Sequence, residues 1–445
     1  MKFKVCCLLI GLPLASLSQT IIPAIASYKF SGLTSFYHPA YLNDNGAQFE
    51  IYFPLNGYAG IGNDFIKHKK LLSALSGNEN VQNDILDHPE NFRSSNRIRL
   101  NAIAFTFLAY YVPDRLRGNW AFNAGMAERA DAEVVFPGDL MKLVLKADQT
   151  FAGQNRKINN IKLNGIYYRE LFIGGAGRIF KRKKFSISAG GRVKFLCGIA
   201  SILTENASVD FYMDQSAKYI DVNSDFDLHT SNILSSSSNP WGITGIGMSL
   251  DAGLSFNLKN YSASVSVVDV GSIRFKKSLE HLRHSSSIRF EGFNDDEGFK
   301  GVKDDTIFND LTVNRSQDRY KHALNKRLNI LFSWKSKEDE KILFNRTLVR
   351  YSKHRAFISY SGLFDEFRFN ELSNQLALGY TYNWKDFFEI GPGLFAGGYA
   401  RIGLGCMASV KYKCFTIGIA TSNLIPLVTR WGKGTDVSIS SLFYF

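Results

Sequence analysis

Residues 245–257 alternate without a break. Ile246, Met248, Leu250, Ala252, Leu254 and Phe256 share one parity, and Gly245, Gly247, Ser249, Asp251, Gly253, Ser255 and Asn257 share the other. A period of two belongs to an extended strand, whose successive side chains point to opposite faces. The run is also long. Soluble strands average about five or six residues. A strand that crosses a bilayer needs about ten, apolar toward lipid and polar or small toward the lumen.

The pattern recurs along the chain. Phe185, Ile187, Ala189, Val193, Phe195 and Ile199 oppose Lys184, Ser186, Ser188, Arg192 and Lys194. Tyr261, Ala263, Val265 and Val267 oppose Ser262, Ser264 and Ser266. Leu376, Leu378, Tyr380, Tyr382 and Trp384 oppose Gln375, Ala377, Gly379, Thr381 and Asn383. Ile402, Leu404, Cys406, Ala408, Val410 and Tyr412 oppose Arg401, Gly403, Gly405, Ser409 and Lys411. Aromatics stand at strand ends (Phe256, Tyr261, Trp384, Tyr412, Phe443), where a membrane girdle belongs. A soluble sandwich alternates too. Strand length, a Gly/Ser inner face and terminal aromatics together favour an all-β fold, an antiparallel transmembrane β-barrel. At about 25–30 residues per strand and loop the chain accommodates about 14 strands, with a range of roughly 12–16.

The N-terminus reads as an export signal. Lys2 and Lys4 precede the apolar stretch Val5–Leu17, and Ser16 and Ser18 suit cleavage before Gln19. A second candidate site is Ala24-Ile25-Ala26. The apolar stretch is too short to span a bilayer. Without a transmembrane helix, export leaves secretion, the periplasm or a closed barrel, since only helices and closed barrels satisfy their backbone in lipid; with the alternation above, the outer membrane of a Gram-negative cell is expected. Cys197, Cys406 and Cys414 remain after the signal, an odd set that argues against a disulfide scaffold. The net charge of +13 suits anionic lipid headgroups or an anion-attracting lumen. Export removes nucleic acid as a partner.

The expected organisation is a signal over 1–18, an N-terminal segment over 19–95, and a barrel over 96–445 with a charged insertion at 276–327. The N-terminal segment holds His38-Pro39-Ala40, a short strand at Gln48–Phe53 and a Lys- and Leu-rich patch from Asp64 to Leu75 that suits a helix. It is expected to form an internal hatch plus a first strand. Pro137 opens a short helix to about Ala147. The insertion is expected to contain one strand, Ser287–Phe293. The terminal run Val437, Ile439, Phe443 and Phe445 has the pattern that barrel-insertion machinery reads at a C-terminus.

Catalytic and cofactor motifs were sought without success: no Gly-x-Ser-x-Gly, His-Glu-x-x-His, Cys-x-x-Cys or P-loop occurs. Gly403-Leu-Gly-Cys-Met-Ala408 matches a dinucleotide fingerprint formally, but it lies in a strand pattern instead of opening a helix. No cofactor, metal or enzymatic activity is expected. The expected lumen-facing residues are Lys184, Arg192, Lys194, Asp251 and Arg401. The basic ones either line an anion path or pair with carboxylates such as Asp251 or Asp269. Asp221, Asp225 and Asp227 form an acidic row with calcium-ligand chemistry, or one wetted strand face. His281 and His284 sit in the charged insertion without evident partners.

Five stretches carry a resemblance. They are Trp120-Ala-Phe-Asn-Ala-Gly followed by Pro137-Gly-Asp-Leu, Phe185 to Gly198, Gly245-Ile-Gly-Met-Ser-Leu-Asp-Ala-Gly, Val268-Asp-Val-Gly, and Phe290-Glu-Gly-Phe. Their order resembles a large Bacteroidota group of outer-membrane barrels of unknown function. More distantly, the chain is similar to long-chain fatty acid transporters and to barrel subunits of type IX secretion. Those carry Asn-Pro-Ala near the mature N-terminus, and here the triplet is His38-Pro39-Ala40. The resemblance implies passage or holding of a hydrophobic or amphiphilic ligand, or a scaffold or accessory barrel role in a cell-surface or secretion complex. Expected partners are the bilayer with its anionic headgroups, the insertion machinery, a hydrophobic small molecule and a surface protein.

Overall fold

The computed structural model describes residues 31–42, 48–52, 56–67, 70, 73, 92–113, 119–140, 152–159, 161–216, 219–233, 242–291, 314–316, 318–342, 348–363, 374–398, 402–428 and 432–444. The alternating runs pair into one closed antiparallel barrel of 14 strands. The first wall strand is made of two pieces, β1 (Phe49–Tyr52) and β2 (Asn56–Asn63), on either side of Pro54. The wall continues through β3 (Asn96–Tyr111) and β4 (Trp120–Phe136). After a short β5 (Asn155–Ile158) come β6 (Lys162–Arg182) and β7 (Phe185–Met213). β8 (Tyr219–Ser231) leaves the wall, and β9 (Gly245–Leu258) and β10 (Tyr261–Phe275) resume it.

β11 (Leu279–Glu291) and β12 (Asn314–Ser316) lie beyond the wall. β13 (Tyr320–Ala323) and β14 (Arg327–Lys335) both pair with β10 as one interrupted strand. A separate hairpin, β15 (Glu338–Ile342) and β16 (Leu348–Ser352), precedes β17 (His354–Leu363). The remaining strands are β18 (Gln375–Trp384), β19 (Phe388–Gly397), β20 (Ile402–Tyr412), β21 (Phe415–Thr421) and β22 (Gly434–Tyr444). Two short helices are fully described, α1 (Ser31–Tyr37) and α2 (Ile425–Val428). The seam closes because β22 pairs with both β1 and β2, with Glu50 opposite Tyr444 and Gly62 opposite Gly434. A closed sheet has no edge left to satisfy. Among the described residues no helix is long and apolar enough to cross a membrane.

Burial follows the expected parity. Along β9 every residue from Ile246 to Leu258 of the apolar set is exposed outward, while Ser249, Asp251 and Ser255 are buried. Outward aromatics gather at one end: Trp120, Phe180, Phe256, Tyr261, Trp384, Tyr412 and Phe443. That end also carries the tight turns between β6 and β7, β9 and β10, β18 and β19, and β20 and β21. Apart from the β15–β16 hairpin, which joins β14 to β17 at the tight-turn end, the longest connections lie at the opposite end. There β7 runs past the wall. Its first half pairs with β9, whereas Ser201–Met213 pairs with β8, and β8 pairs in turn with β11. This extension has an apolar core of its own: Ile158, Val209, Phe211, Met213 and Ile220.

Several expectations change. Lys184 is exposed in the turn between β6 and β7 and does not face the lumen, because parity says nothing of where a strand begins. Ile199 is buried instead of lipid-facing, since it is the unpaired residue of a bulge opposite Tyr167 and Tyr168. The insertion carries a full strand, β11, starting well before Ser287. Its charges alternate because they pair across strands, Arg283 opposite Asp227 and Arg289 opposite Asp221. Gly138–Leu140 is helical, and the rest of the helix expected there lies outside the described residues. So do the signal, half of the 64–75 patch, Arg401 and Phe445. Val437, Ile439 and Phe443 share the outer face of β22. Cys197, Cys406 and Cys414 are all free thiols.

Candidate functional site: the occupied lumen

A barrel of this size encloses more space than its own side chains fill. α1 and the following residues to Leu42 occupy that space. The last carbonyls of a helix lack partners within it. Here the guanidinium of Arg192 supplies them, its Nη2 donating to Ser35 O and its Nη1 to Phe36 O, each at 2.7 Å. From β10, Ser266 Oγ donates to Tyr37 O at 2.6 Å, and Ser264 Oγ lies 3.0 Å from His38 Nδ1. Phe36 is wedged between two environments. Its ring meets Phe105 and Phe172 edge-on at 5.1 and 5.3 Å, while Arg192 Cζ and Lys194 Nζ sit 4.5 and 4.8 Å from its centroid.

Pro39 lies against a window of glycine. Gly190 and Gly253 are direct cross-strand partners on β7 and β9. A Cβ on Gly190 would fall 2.1 Å from Pro39 O, and one on Gly253 3.4 Å from Pro39 Cδ. The first approach is closer than any side chain permits, so glycine at 190 is required by the chain that passes it.

Beside α1 lies a buried ionic network. Arg129 grips the carboxylate of Asp269 with two bonds of 2.8 and 3.0 Å and reaches Glu170 at 3.2 Å. Lys194, fully buried, bridges Asp269 at 2.7 Å and Asp251 at 2.9 Å. Arg192 adds a contact to Asp251 at 3.2 Å. Farther along, Arg99 pairs with Asp131 at 3.3 Å. A bulge between Val267 and Val270 puts Asp269 at φ 62° and turns it inward, where its own N–H donates to Asp251 Oδ1 at 2.8 Å. Buried charges are tolerable only when matched in this way, and removing one partner leaves the other exposed to the full desolvation penalty.

The structure therefore brings Arg192, Lys194 and Asp251 together and joins them to Asp269, as the pairing alternative required. Arg129, Glu170, Arg99 and Asp131 were not foreseen. The second half of β4, which carries Arg129 and Asp131, reads as mixed Ala and Glu, so alternation there is faint, although Ala121, Asn123, Ala127 and Arg129 share the strand's inward parity. His38 and Ala40 are buried in the lumen with Pro39 between them. The acidic row is not an open carboxylate face, because Asp221 is bound by Arg289, Asp225 by Asn206 and Asp227 by Arg283.

The opposite side of the lumen is aromatic. Tyr52, Tyr58, Phe105, Phe357, Phe395 and Tyr444 face inward and form one cluster with Phe36 and Tyr37. Two openings flank α1. One, toward the long connections, is lined by Asn101, Arg129, Asp131, Tyr168, His322 and Arg327. The other, toward the tight turns, is lined by Thr34, Tyr41, Asn257, Ser262, Ser333 and Arg355.

Among solved structures, the chain is similar to the toluene transporter TbuX of Ralstonia pickettii, at 8% identity and a TM-score of 0.46, over 93% of this chain and 94% of that one. It is similar to the toluene transporter TodX of Pseudomonas putida at 10% identity and a TM-score of 0.39, over 95% and 92%. The outer membrane phospholipase A of Escherichia coli follows at 10% identity and a TM-score of 0.21, over 88% and 98%. No curated protein matches the chain. Residues 39–422 match a defined family, and on that match the chain belongs to the family of unknown function DUF5723.

Proposed function

We propose that this membrane barrel passes or holds an amphiphilic ligand, with residues 31–42 as the hatch that occupies the ligand's path. The division of the lumen supports this reading: one side is aromatic, the other is a cationic and carboxylate network, and Phe36 lies between them. A ligand with an apolar body and a polar end has complementary surfaces on both sides once the hatch withdraws. The reading is non-enzymatic. Ser201 Oγ does lie 2.6 Å from His322 Nδ1, but Ser201 is wholly buried and does not line the opening beside His322. A second reading, a scaffold or accessory barrel at the cell surface, draws on the extension of β7, β8 and β11 with its separate core.

Conductance in planar bilayers tests the hatch. Deleting 31–42 keeps β1 and β2 in the wall, and the inserted barrel is expected to conduct where the intact protein does not. Gly190→Val, which has no room beside Pro39, is expected to raise conductance by a second route. A single-chain amphiphile such as dodecyl maltoside is expected to lower the conductance of the deleted form. Inserted variants that stay closed count against the hatch, and conducting variants indifferent to the amphiphile count against the ligand class.

A further inference from the structure

At the end with the long connections, three strands of the extension assemble a donor set outside the lumen. His229 on β8 stands directly opposite His281 on β11, and Asp227 is two residues along β8 on the same face. The two rings stack with centroids 4.0 Å apart. His281 Nε2 lies 2.6 Å from Asp227 Oδ1, and His229 Nε2 lies 4.0 Å from the same oxygen. Glu205 joins them from β7. It is the unpaired residue of a bulge between Thr204 and Asn206, and its Oε1 lies 3.3 Å from His229 Nε2. Asp227, His229 and His281 each offer a ligand atom within 4.8 Å of the others.

The surroundings hold these groups in place. Arg283 binds Asp227 Oδ2 at 3.0 Å and so leaves Oδ1 facing the histidines. Asp318 Oδ2 lies 3.7 Å from His281 Nδ1, behind the ring. Tyr320 stacks on His229 at 5.0 Å. His229 Nδ1 is buried with no hydrogen-bond partner among the described residues.

A neutral imidazole donates one N–H, and an ionised carboxylate donates none. His281 has a carboxylate at each nitrogen, and His229 presents its Nε2 to Glu205 and Asp227. One extra proton on the pair, or a cation in the shared gap, satisfies these carboxylates. A cation takes both Nε2 lone pairs and an oxygen from each carboxylate while Nδ1–H of His281 remains for Asp318. A carboxylate behind a ligating histidine is the usual support for such a ring. Four-coordinate donors sit about 2.0–2.2 Å from a zinc-class ion, so binding requires the two rings, now stacked at 19°, to unstack and turn their in-plane lone pairs toward one point. Two imidazoles select a d-block divalent ion over calcium or magnesium.

We infer that Glu205, Asp227, His229 and His281 bind one zinc-class divalent cation and so join β7, β8 and β11 beyond the wall. The inference does not depend on the lumen. Purified protein in detergent, stripped with chelator, is titrated with Zn²⁺, with Co²⁺ as a spectroscopic probe and Ca²⁺ as competitor. One ion per chain is expected, with the visible Co²⁺ absorption of a four-coordinate site, displaced by Zn²⁺ and unaffected by Ca²⁺. His229→Ala and His281→Ala are expected to abolish binding, Asp318→Asn to weaken it by about tenfold or more, and His354→Ala in the wall to leave it unchanged. Glu205→Gln, at an exposed position, is expected to weaken binding without disturbing the fold. Heat-modifiable migration identifies the variants whose barrel has assembled. No binding, binding that survives the double histidine variant, or equal competition by Ca²⁺ would each overturn the site.

Discussion

At the scale of single residues, the parity of a strand determines cost. Leu250 is 55% exposed on the outer face, with Asp251 buried beside it on the inner one. Leu250→Arg is expected to lower stability by about 2–4 kcal/mol, the depth-dependent cost of a cation near the bilayer midplane. Asn257→Arg, on the inner parity and at an opening, is expected to cost much less. Ser249 would be a poor comparison, since it is buried beside the ionic network. Urea unfolding of both variants in vesicles checks the order, and equal losses would contradict the membrane register. The inward aim of Arg192, Lys194 and Asp251 was legible because the period of two needs only sequence. Their partners were only partly legible. Asp269 reaches them through a bulge, Arg129 comes from β4, whose own alternation is weak, and Glu170 comes from the neighbouring β6. Lys184 shows the opposite failure, since a correct parity was carried one residue past the end of its strand.

At the scale of elements, α1 owes its place to a few directed bonds and to His38. Burial lowers the His38 pKa from its ordinary 6.5 to about 4, and Nε2 has no partner among the described residues. An undocked hatch would protonate near the ordinary value. Between pH 6.5 and 4 the undocked form therefore binds more protons, and docking weakens as pH falls. Above 6.5 there is no effect, and below 4 the loss levels off. The expected change is up to about tenfold per pH unit within that window. Conductance measured across it should rise with acidification in the native protein and rise less in His38→Asn. An identical profile in the variant would remove His38 from the account. A segment without alternation, followed by a wall rich in Gly and Ser, suggested an internal element over 19–95, and of that segment the structure describes residues 31–42 in the lumen and β1 and β2 in the wall. The extension was not foreseen. β8 and β11 alternate like wall strands, and only the pairing of β7 with two partners in succession separates them from the barrel.

At the scale of the whole molecule, the 14-strand closure makes a simple demand. A sheet without an edge has nowhere to fray, so unboiled protein in detergent is expected to migrate differently from boiled protein on an electrophoretic gel. Identical migration, with solubility in the absence of detergent, would contradict a membrane barrel. The strand number was legible because long strands and their connections consume chain at a steady rate. The seam was less so, since β1 and β2 are short and interrupted at Pro54. That seam also has a bearing on assembly. Its pairing, Glu50 with Tyr444, joins the two most distant wall strands in sequence, and contacts of such separation form late. The stretch just before β1 is the one held by Arg192 inside the tube. The chain that draws the last seam shut therefore draws the cork in with it. If that seam is the last to form, the tube closes with its lumen already occupied.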